Sequence, residues 1–488
     1  MPPERRWTVA ALPGWLLAAA AVIVIVLSVA RVVTFGANEA YLRTESGVWT
    51  ALALDFSEGT FYRPLVDAGG YGGTRYFPLH FIVHGAVIGA IGRPILGGQI
   101  VSVVSVILLA SGAGVLLRRL GASAALATAA AAAVVASQVT QGALLSIRGD
   151  ALPAALGVWG LALCAGAAAS RARDVGAAAL FALAFAAKPT AVSGALAAIL
   201  WLFASGQPKR GATVLSATVV FGAIVMGAIV LTSDGRVFEA WTMGAATGVR
   251  LTDLLLAPFT FARLVRQVPE TLVFIQLGVA ASLVLALRRS AALPVLVFAA
   301  TLVVSTGIFA FEGADTNHLI DIQAASVLAM AALITTSPAG ERPFGVTVFA
   351  VAALAASLSL ASGLANRRAE QRHGTLAQAL ELIPQRDRPI LAENPLVPIA
   401  AGQRPYLLDA FMFRMIRQRD PAYGAPLMQA LAEQRFAAVV LERDPHDARG
   451  EVWYGRSFFG DGFIEAMERQ YELTDVVGMR HVYRPKRP

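Results

Sequence analysis

The chain has 488 residues, of which 56% are hydrophobic and only 15% charged, with a mean hydropathy of +0.62. Soluble domains carry about a quarter charged residues, so this balance excludes a wholly water-solvated protein. The net charge of +8 comes largely from arginines set in small pairs between apolar runs, a pattern that orients membrane helices rather than one that binds nucleic acid. A single cysteine, Cys164, excludes a disulfide framework.

A crossing helix needs about 20 apolar residues. The first such run, Leu12 to Phe35, follows Arg5 and Arg6 and is too long for the apolar part of a cleavable signal. It reads as a retained first span that also acts as a signal anchor. Comparable runs lie over 97–117, 122–142, 151–169, 211–233, 268–287, 291–311, 319–336 and 343–364. Between Val175 and Ser205 the run is longer but is interrupted by Lys188-Pro189-Thr190. Proline breaks helical hydrogen bonding and a lysine in mid-membrane is expensive. Two short helices meeting at Lys188 describe it better, each about 22 Å long at 1.5 Å per residue. Counting that pair as two gives about eleven spans.

Every second connection then carries basic residues: Arg5-Arg6, Arg118-Arg119, Arg171 with Arg173, Lys209-Arg210, Arg288-Arg289 and Arg342. The positive-inside rule makes these ends cytoplasmic. The alternate connections, 36–96, 143–150, the Lys188 turn, 234–267 and 312–318, fall on the other face, and an odd number of spans sends the tail there too. The expected location is a multi-pass plasma (inner) membrane protein, N terminus cytoplasmic and C-terminal domain extracytoplasmic.

Within the 36–96 loop, Glu39 to Glu58 alternates polar and apolar residues at helical spacing, with Leu42, Val48, Trp49, Leu52 and Phe56 on one face. This predicts an interfacial helix. After the glycine-rich turn 69–73, Tyr76 to Ile91 is apolar but short, as suits a juxtamembrane helix. From Arg367 the charge density rises, and strand-like runs at Pro389–Glu393, Phe436–Glu442 and His481–Arg484 alternate with helical stretches at 427–434 and 463–470. The predicted fold is therefore mainly α: a polytopic transmembrane helix bundle over 1–366, followed by a small α/β domain over 367–488.

The non-cytoplasmic ends hold Glu39, Arg75, Arg148, Asp150, Lys188, Glu312, Asp315, Asn317 and His318. Ionisable groups beside spans usually face a bundle interior or a wet cavity. Glu39, just past the first span, is either a solvated charge or a carboxylate placed to act as a general base on a hydroxyl. Arg148-Gly149-Asp150 opens the fourth span, either as a local ion pair capping a helix or as part of a site. Lys188 either snorkels to the interface or forms an anion site between two short helices. The turn Glu312 to His318 brings polar groups to the mouth of the tenth span. His80 and His84 share a helix face but have no third ligand nearby, so no metal site is assigned. The external loops contain no Asp-x-Asp pair, which argues against a divalent ion bridging a diphosphate. The tail contains no phosphate-binding glycine motif.

These segments resemble the membrane-embedded glycosyltransferases of the GT-C superfamily, of the protein O-mannosyltransferase and aminoarabinose-transferase type. Asn38-Glu39-Ala40-Tyr41 is similar to the acidic motif that follows their first span, although Asn38 stands where an aspartate is usual. Tyr76-Phe77-Pro78-Leu79 resembles their aromatic-proline segment, Arg148-Gly149-Asp150 an acidic position at the fourth span, and Ala187-Lys188-Pro189-Thr190 their Lys-Pro-Thr turn.

The resemblance covers about Arg5 to Gly363. It implies inverting transfer of a sugar from a polyprenyl-phosphate donor to a glycan, lipid or protein acceptor on the non-cytoplasmic face, without a cofactor. Glu39 would be the base and Asp150 the orienting carboxylate. Lys188 would meet the phosphate, with Arg75, Arg148, His318, Asn317 and Tyr76 binding substrate. A transporter or flippase of a lipid-linked saccharide, which would place its charges near the midplane of repeated halves, and a catalytically silent family member are the alternatives.

Overall fold

The computed structural model describes residues 12–35, 41–166, 170–245, 249–365, 376–383 and 387–487. Each apolar run in the sequence is helical: α1 (Leu12–Phe35), α4 (Pro94–Arg119), α5 (Ala124–Val135), α6 (Gln138–Leu145), α7 (Ala151–Cys164), α8 (Arg171–Ala187), α9 (Ser193–Ala204), α10 (Pro208–Thr232), α13 (Pro269–Leu287), α14 (Ala292–Ile308), α15 (Ile320–Thr336) and α16 (Arg342–Ala365). In the connections lie α2 (Thr44–Ser57), α3 (Pro78–Ile91), α11 (Arg236–Ala245) and α12 (Leu251–Val265). Six of the described helices are long and apolar enough to cross a membrane, and a bent pair would make a seventh. Among the described residues, six or seven helices rather than the expected eleven or so are long enough to cross, and the other apolar helices, α7, α9 and α14 among them, are shorter.

The run 122–142 is the bent pair. α5 and α6 meet at 72°, and Ser137 caps α6 by accepting the Thr140 N–H at 3.3 Å. Backbone groups freed inside a membrane must find partners within the protein. Here the Gln138 N–H donates to the Glu270 carboxylate at 2.8 Å, and the Gln141 amide donates to the Val135 carbonyl at 3.0 Å and to the Ser28 hydroxyl at 2.8 Å. The second break falls at Lys188, where α8 ends in extended backbone and a turn closed by Ala191 N–H to Lys188 O at 2.9 Å leads into α9.

The bundle packs as α1 on α16, α4 on α7, α7 on α8, α8 on α10, and α13 on α15. Around the 166–174 connection, Asp174 is buried and paired with Arg210 at 2.8 Å, Arg210 also donates to the Cys164 carbonyl at 3.0 Å, and Arg119 donates to the Ala162 carbonyl. α2, expected as an interfacial helix, is instead buried along most of its length, between α3 and the helix Leu396–Ala400 of the tail.

The tail folds as a four-stranded sheet in the order β3 (Ile390–Ala392), β4 (Ala438–Leu441), β6 (Arg480–Pro485), β5 (Tyr471–Val477), with β3 and β4 parallel and the other pairs antiparallel. It docks on the 41–77 loop. The hairpin β1 (Val66–Asp67) and β2 (Gly70–Tyr71) extends the contact, with the Tyr71 N–H donating to the Tyr406 carbonyl at 2.7 Å and the Leu408 N–H to the Tyr71 carbonyl at 3.0 Å. Arg63 lies buried, forked onto Asp55 at 2.5 and 2.9 Å, and donates to the Pro405 carbonyl at 2.7 Å. Bidentate pairs of this kind fix geometry as well as charge.

A second clasp is acidic. At the ends of β3 and β4, buried Glu393 accepts from Trp453, from the Tyr454 hydroxyl and from the Glu442 N–H at 2.8, 2.6 and 2.8 Å. Glu442 accepts from Asn394 at 2.7 Å and from the Thr44 hydroxyl of α2 at 3.0 Å. Burial and the neighbouring Glu442 push Glu393 up to about 7 from its ordinary 4.5, despite the three donors. A carboxyl raised on folding lends stability below its unfolded pKa and loses it as pH rises through the folded value. The folding stability of the tail is therefore expected to fall between about pH 4.5 and pH 7. Glu393→Gln is expected to flatten that slope, as read from the thermal unfolding midpoint of the full chain across the window. A slope equal to that of the unmodified protein would remove Glu393 from this role.

Candidate active site

One cavity of about 380 Å³ lies where the bundle meets the tail. The break between α5 and α6 sends the chain through Ser146 into the Arg148-Gly149-Asp150 turn, and the break between α8 and α9 brings Lys188 to the same place. There Lys188 Nζ meets Asp150 Oδ1 at 2.7 Å, and the Asn317 amide donates to the same oxygen at 2.8 Å. Their side chains are 17% and 11% exposed, for Lys188 and Asp150, so the pair is largely withdrawn from bulk water. Burial pushes the Asp150 carboxyl upward, but Lys188, His318 and Arg148 outweigh it and hold Asp150 well below the usual carboxylate range.

Asn317 is presented by a short 3-10 turn, Thr316–Leu319, which Asp315 caps by accepting the Thr316 N–H at 2.7 Å. His318 follows it into the cavity and packs edge-on against Phe309. Arg148 reaches Glu45 of α2 at 3.4 Å. The alternative of a local pair across Arg148-Gly149-Asp150 is thereby corrected: Asp150 makes no capping bond with its side chain, and each charge takes a partner from elsewhere in the chain. Glycine is required between them, because a Cβ on Gly149 would stand 2.5 Å from the Trp49 ring. Trp49 in turn stacks on Tyr76 at 4.2 Å, which makes an aromatic wall.

Arg75 has no ion-pair or hydrogen-bond partner among the described residues, and its guanidinium lies 4.2 Å over the Phe411 ring. Phe77, Trp241, Ile308 and Phe311 supply apolar lining. Of the residues predicted for the site, Arg75, Tyr76, Arg148, Asp150, Lys188, Asn317 and His318 all line this cavity. Glu39 lies outside the described residues. His80 and His84 do not join the cavity lining; both are buried in α3, with His84 hydrogen-bonded to the Pro94 carbonyl at 2.8 Å. Among the described residues no group of three or more metal-ligating side chains occurs.

Sequence reasoning missed Glu45 and Trp49 as cavity residues, and missed Phe411 and Met415 of the tail. The first two sit on a helix read as interfacial. The last two come more than 220 residues after Lys188 and carry no local signal.

No protein-family profile matches the sequence, and no curated protein matches it. Solved structures do match the fold. ArnT from Cupriavidus metallidurans in the apo state superposes with a TM-score of 0.60 at 13% identity, over 96% of this chain and 98% of that one. The same protein bound to undecaprenyl phosphate gives 0.59 at 12%, over 98% of each chain. The archaeal oligosaccharyltransferase AglB from Archaeoglobus fulgidus, in complex with an inhibitory peptide and a dolichol-phosphate, gives 0.57 at 12%, over 99% of this chain and 75% of that one. Along nearly its whole length, the chain has the fold of the GT-C membrane glycosyltransferases.

Proposed function

We propose that the chain is an inverting glycosyltransferase that moves a sugar from a polyprenyl phosphate to a glycan, lipid or protein acceptor at the non-cytoplasmic face of the membrane. The observation that carries this reading is the convergence of Lys188, Asp150, Asn317, Arg148 and Arg75 on one part-apolar cavity. The two matched structures with undecaprenyl phosphate and dolichol-phosphate support a polyprenyl-phosphate donor.

In a single displacement the acceptor oxygen attacks the anomeric carbon while the sugar–phosphate bond breaks on the opposite face. The acceptor proton passes to a base, for which Glu39 is the candidate. The leaving group takes the bonding electrons and turns from a phosphodiester into a phosphomonoester, so one further negative charge develops on it. A fixed cation in a water-poor site stabilises that charge far better than water does. Lys188 is such a cation, aimed by Asp150 and with hydrogens to spare beyond the one Asp150 takes. Arg75, unpaired among the described residues, is a second. Phe77, Trp241 and Phe311 offer an apolar surface to the first isoprene units, and the Trp49–Tyr76 wall suits the apolar face of a sugar.

Two measurements test this. With a panel of radiolabelled polyprenyl-phosphate sugars, Glu39→Gln is expected to lower label release by about 100-fold or more while leaving undecaprenyl-phosphate binding in place. Near-normal release by this variant would refute the base assignment. In the second, Lys188→Gln is expected to weaken undecaprenyl-phosphate binding about tenfold, about 1.4 kcal/mol. Asp150→Asn leaves Lys188 without its carboxylate, so phosphate binding is expected to hold or tighten while turnover falls. Equal weakening by both variants would mean that the pair serves only to hold the fold.

A further inference from the structure

Every carboxylate that lines the cavity has a partner. Asp150 takes Lys188 and Asn317, Glu45 meets Arg148 at 3.4 Å, Glu312 meets the buried Arg414 at 2.6 Å, and Asp315 caps the Thr316 N–H. Asp321 does not. It lies half-buried in the first turn of α15 and has no hydrogen-bond or ion-pair partner among the described residues. The short turn Thr316–Leu319 runs straight into α15, so Asp321 follows Asn317 by four residues and His318 by three on a continuous helical path. Residues so spaced are neighbours on one face, and helical side chains tilt toward the N terminus. The Asp321 carboxylate is thereby directed to the level of Asn317, and it stands within electrostatic reach of both Lys188 and Asp150. It is not part of the cavity lining, so it acts on whatever Lys188 holds through its field and not by contact.

Lys188 needs one counter-ion and has it in Asp150; Asp321 is a second negative charge beyond that pair. We propose that Asp321 is a specificity-determining residue that separates donor from product, its charge tolerating a phosphodiester and expelling the phosphomonoester that the diester becomes. The inference rests on the glycosyltransferase reading. As the acceptor oxygen bonds to the anomeric carbon, the sugar–phosphate bond leaves its electron pair on the phosphate and the acceptor proton goes to the base. The phosphate thus goes from one negative charge to two. Lys188 and Arg75 stabilise that charge as it forms, and by the same attraction they would hold the finished monoester more tightly than the donor. Product release would then limit turnover. Repulsion from Asp321 scales with the charge on the phosphate: least in the donor, partial in the transition state and full in the product. A carboxylate one helical turn behind the cation, out of contact with the ligand, therefore acts most on the species that has to leave.

The experiment uses the full-length protein in nanodiscs at pH 8, above the second pKa of about 6 of a phosphomonoester. Affinity for undecaprenyl phosphate is compared with affinity for the radiolabelled polyprenyl-phosphate sugar that the unmodified chain turns over. Asp321→Asn is expected to tighten undecaprenyl phosphate about tenfold and to change donor affinity less than about threefold. The ratio of single-turnover to steady-state rate is expected to rise by a similar factor, because release becomes slower. Asp321→Ser removes the same charge with a smaller side chain and carries the same direction should the asparagine variant not fold. Asp321→Glu restores the charge and is expected to return the product-to-donor affinity ratio to within about threefold of the unmodified protein. Equal changes in donor and product affinity, or unchanged product affinity in both neutral variants, overturns the proposal, since a carboxylate that only packs the helix start has no means to tell one phosphate charge from two. If the unmodified chain releases label from no donor in the panel, the glycosyltransferase reading fails first and this inference falls with it.

Discussion

Lys188 and Asp150 meet because two helices stop short, and the surrounding architecture follows from what those breaks require. A backbone N–H or carbonyl left open in a lipid-facing helix costs several kcal/mol, so a break is tolerated only where other groups take over. At α5 and α6 the replacements are Glu270 for the Gln138 N–H and Gln141 for the Val135 carbonyl, and Gln138 reaches on to Ser359 of α16 at 2.8 Å. Helices α1, α6, α13 and α16 are tied together by these bonds. At α8 and α9 the proline removes one donor outright, and the turn closes on itself. Each break delivers one member of the ion pair to the cavity, and Asn317, from a third connection, fixes their common oxygen.

The arrangement of charge in the cavity explains how a lysine and three arginines are kept near an apolar interior. Lys188 is balanced by Asp150, Arg148 by Glu45 and Arg414 by Glu312, each partner arriving from a different element. Only Lys188 and Asp150 are largely buried on both sides, and breaking that pair leaves a charge that the site cannot solvate, at a cost of about 3–5 kcal/mol. Glu45 and Glu312 are partly exposed, so their pairs contribute less and chiefly set register. Arg75 differs. Aromatic faces, Phe411 at 4.2 Å and Tyr76 at 6.0 Å, support its guanidinium and occupy none of its hydrogens. A cation held this way is oriented yet still has its donors available, which is what a site needs before an anion arrives.

Much of the bundle was legible in the sequence because length and apolarity report directly on solvation by lipid. The interruption at Lys188 was legible too, since Pro189 removes a donor whatever surrounds it. The break at Ser137 was not, because the alanine-rich run contains no proline or glycine there, and the acceptor for the Gln138 N–H that opens α6 is Glu270, which lies 132 residues later. Strand β5 escaped notice for a different reason. It is an edge strand with only Tyr471 fully buried, and Glu472 and Asp475 dilute its apolar pattern. The site residues were legible singly, as ionisable groups beside spans, but their pairing was not. Spacing suggested that Arg148 would serve Asp150, whereas the fold gives Arg148 to Glu45 and Asp150 to Lys188.

Burial of α2 links the bundle's site to the tail. This helix carries Glu45 and Trp49 toward the cavity on one side, and on the other its first residue, Thr44, holds Glu442 while Gly47 lies against Asn394 and Pro395 so closely that a Cβ would collide with both. The tail therefore grips the rim of the site at two distant places, α2 through Glu442 and the 312–318 turn through Arg414. Movement of the tail as a body would shift Trp49 and Asn317 together, and with them both the aromatic wall and the hydrogen bond that aims Asp150. The two grips couple α2 and the 312–318 turn through the tail, because loosening either one parts a polar contact and leaves Glu442 without Thr44 or the buried Arg414 without Glu312.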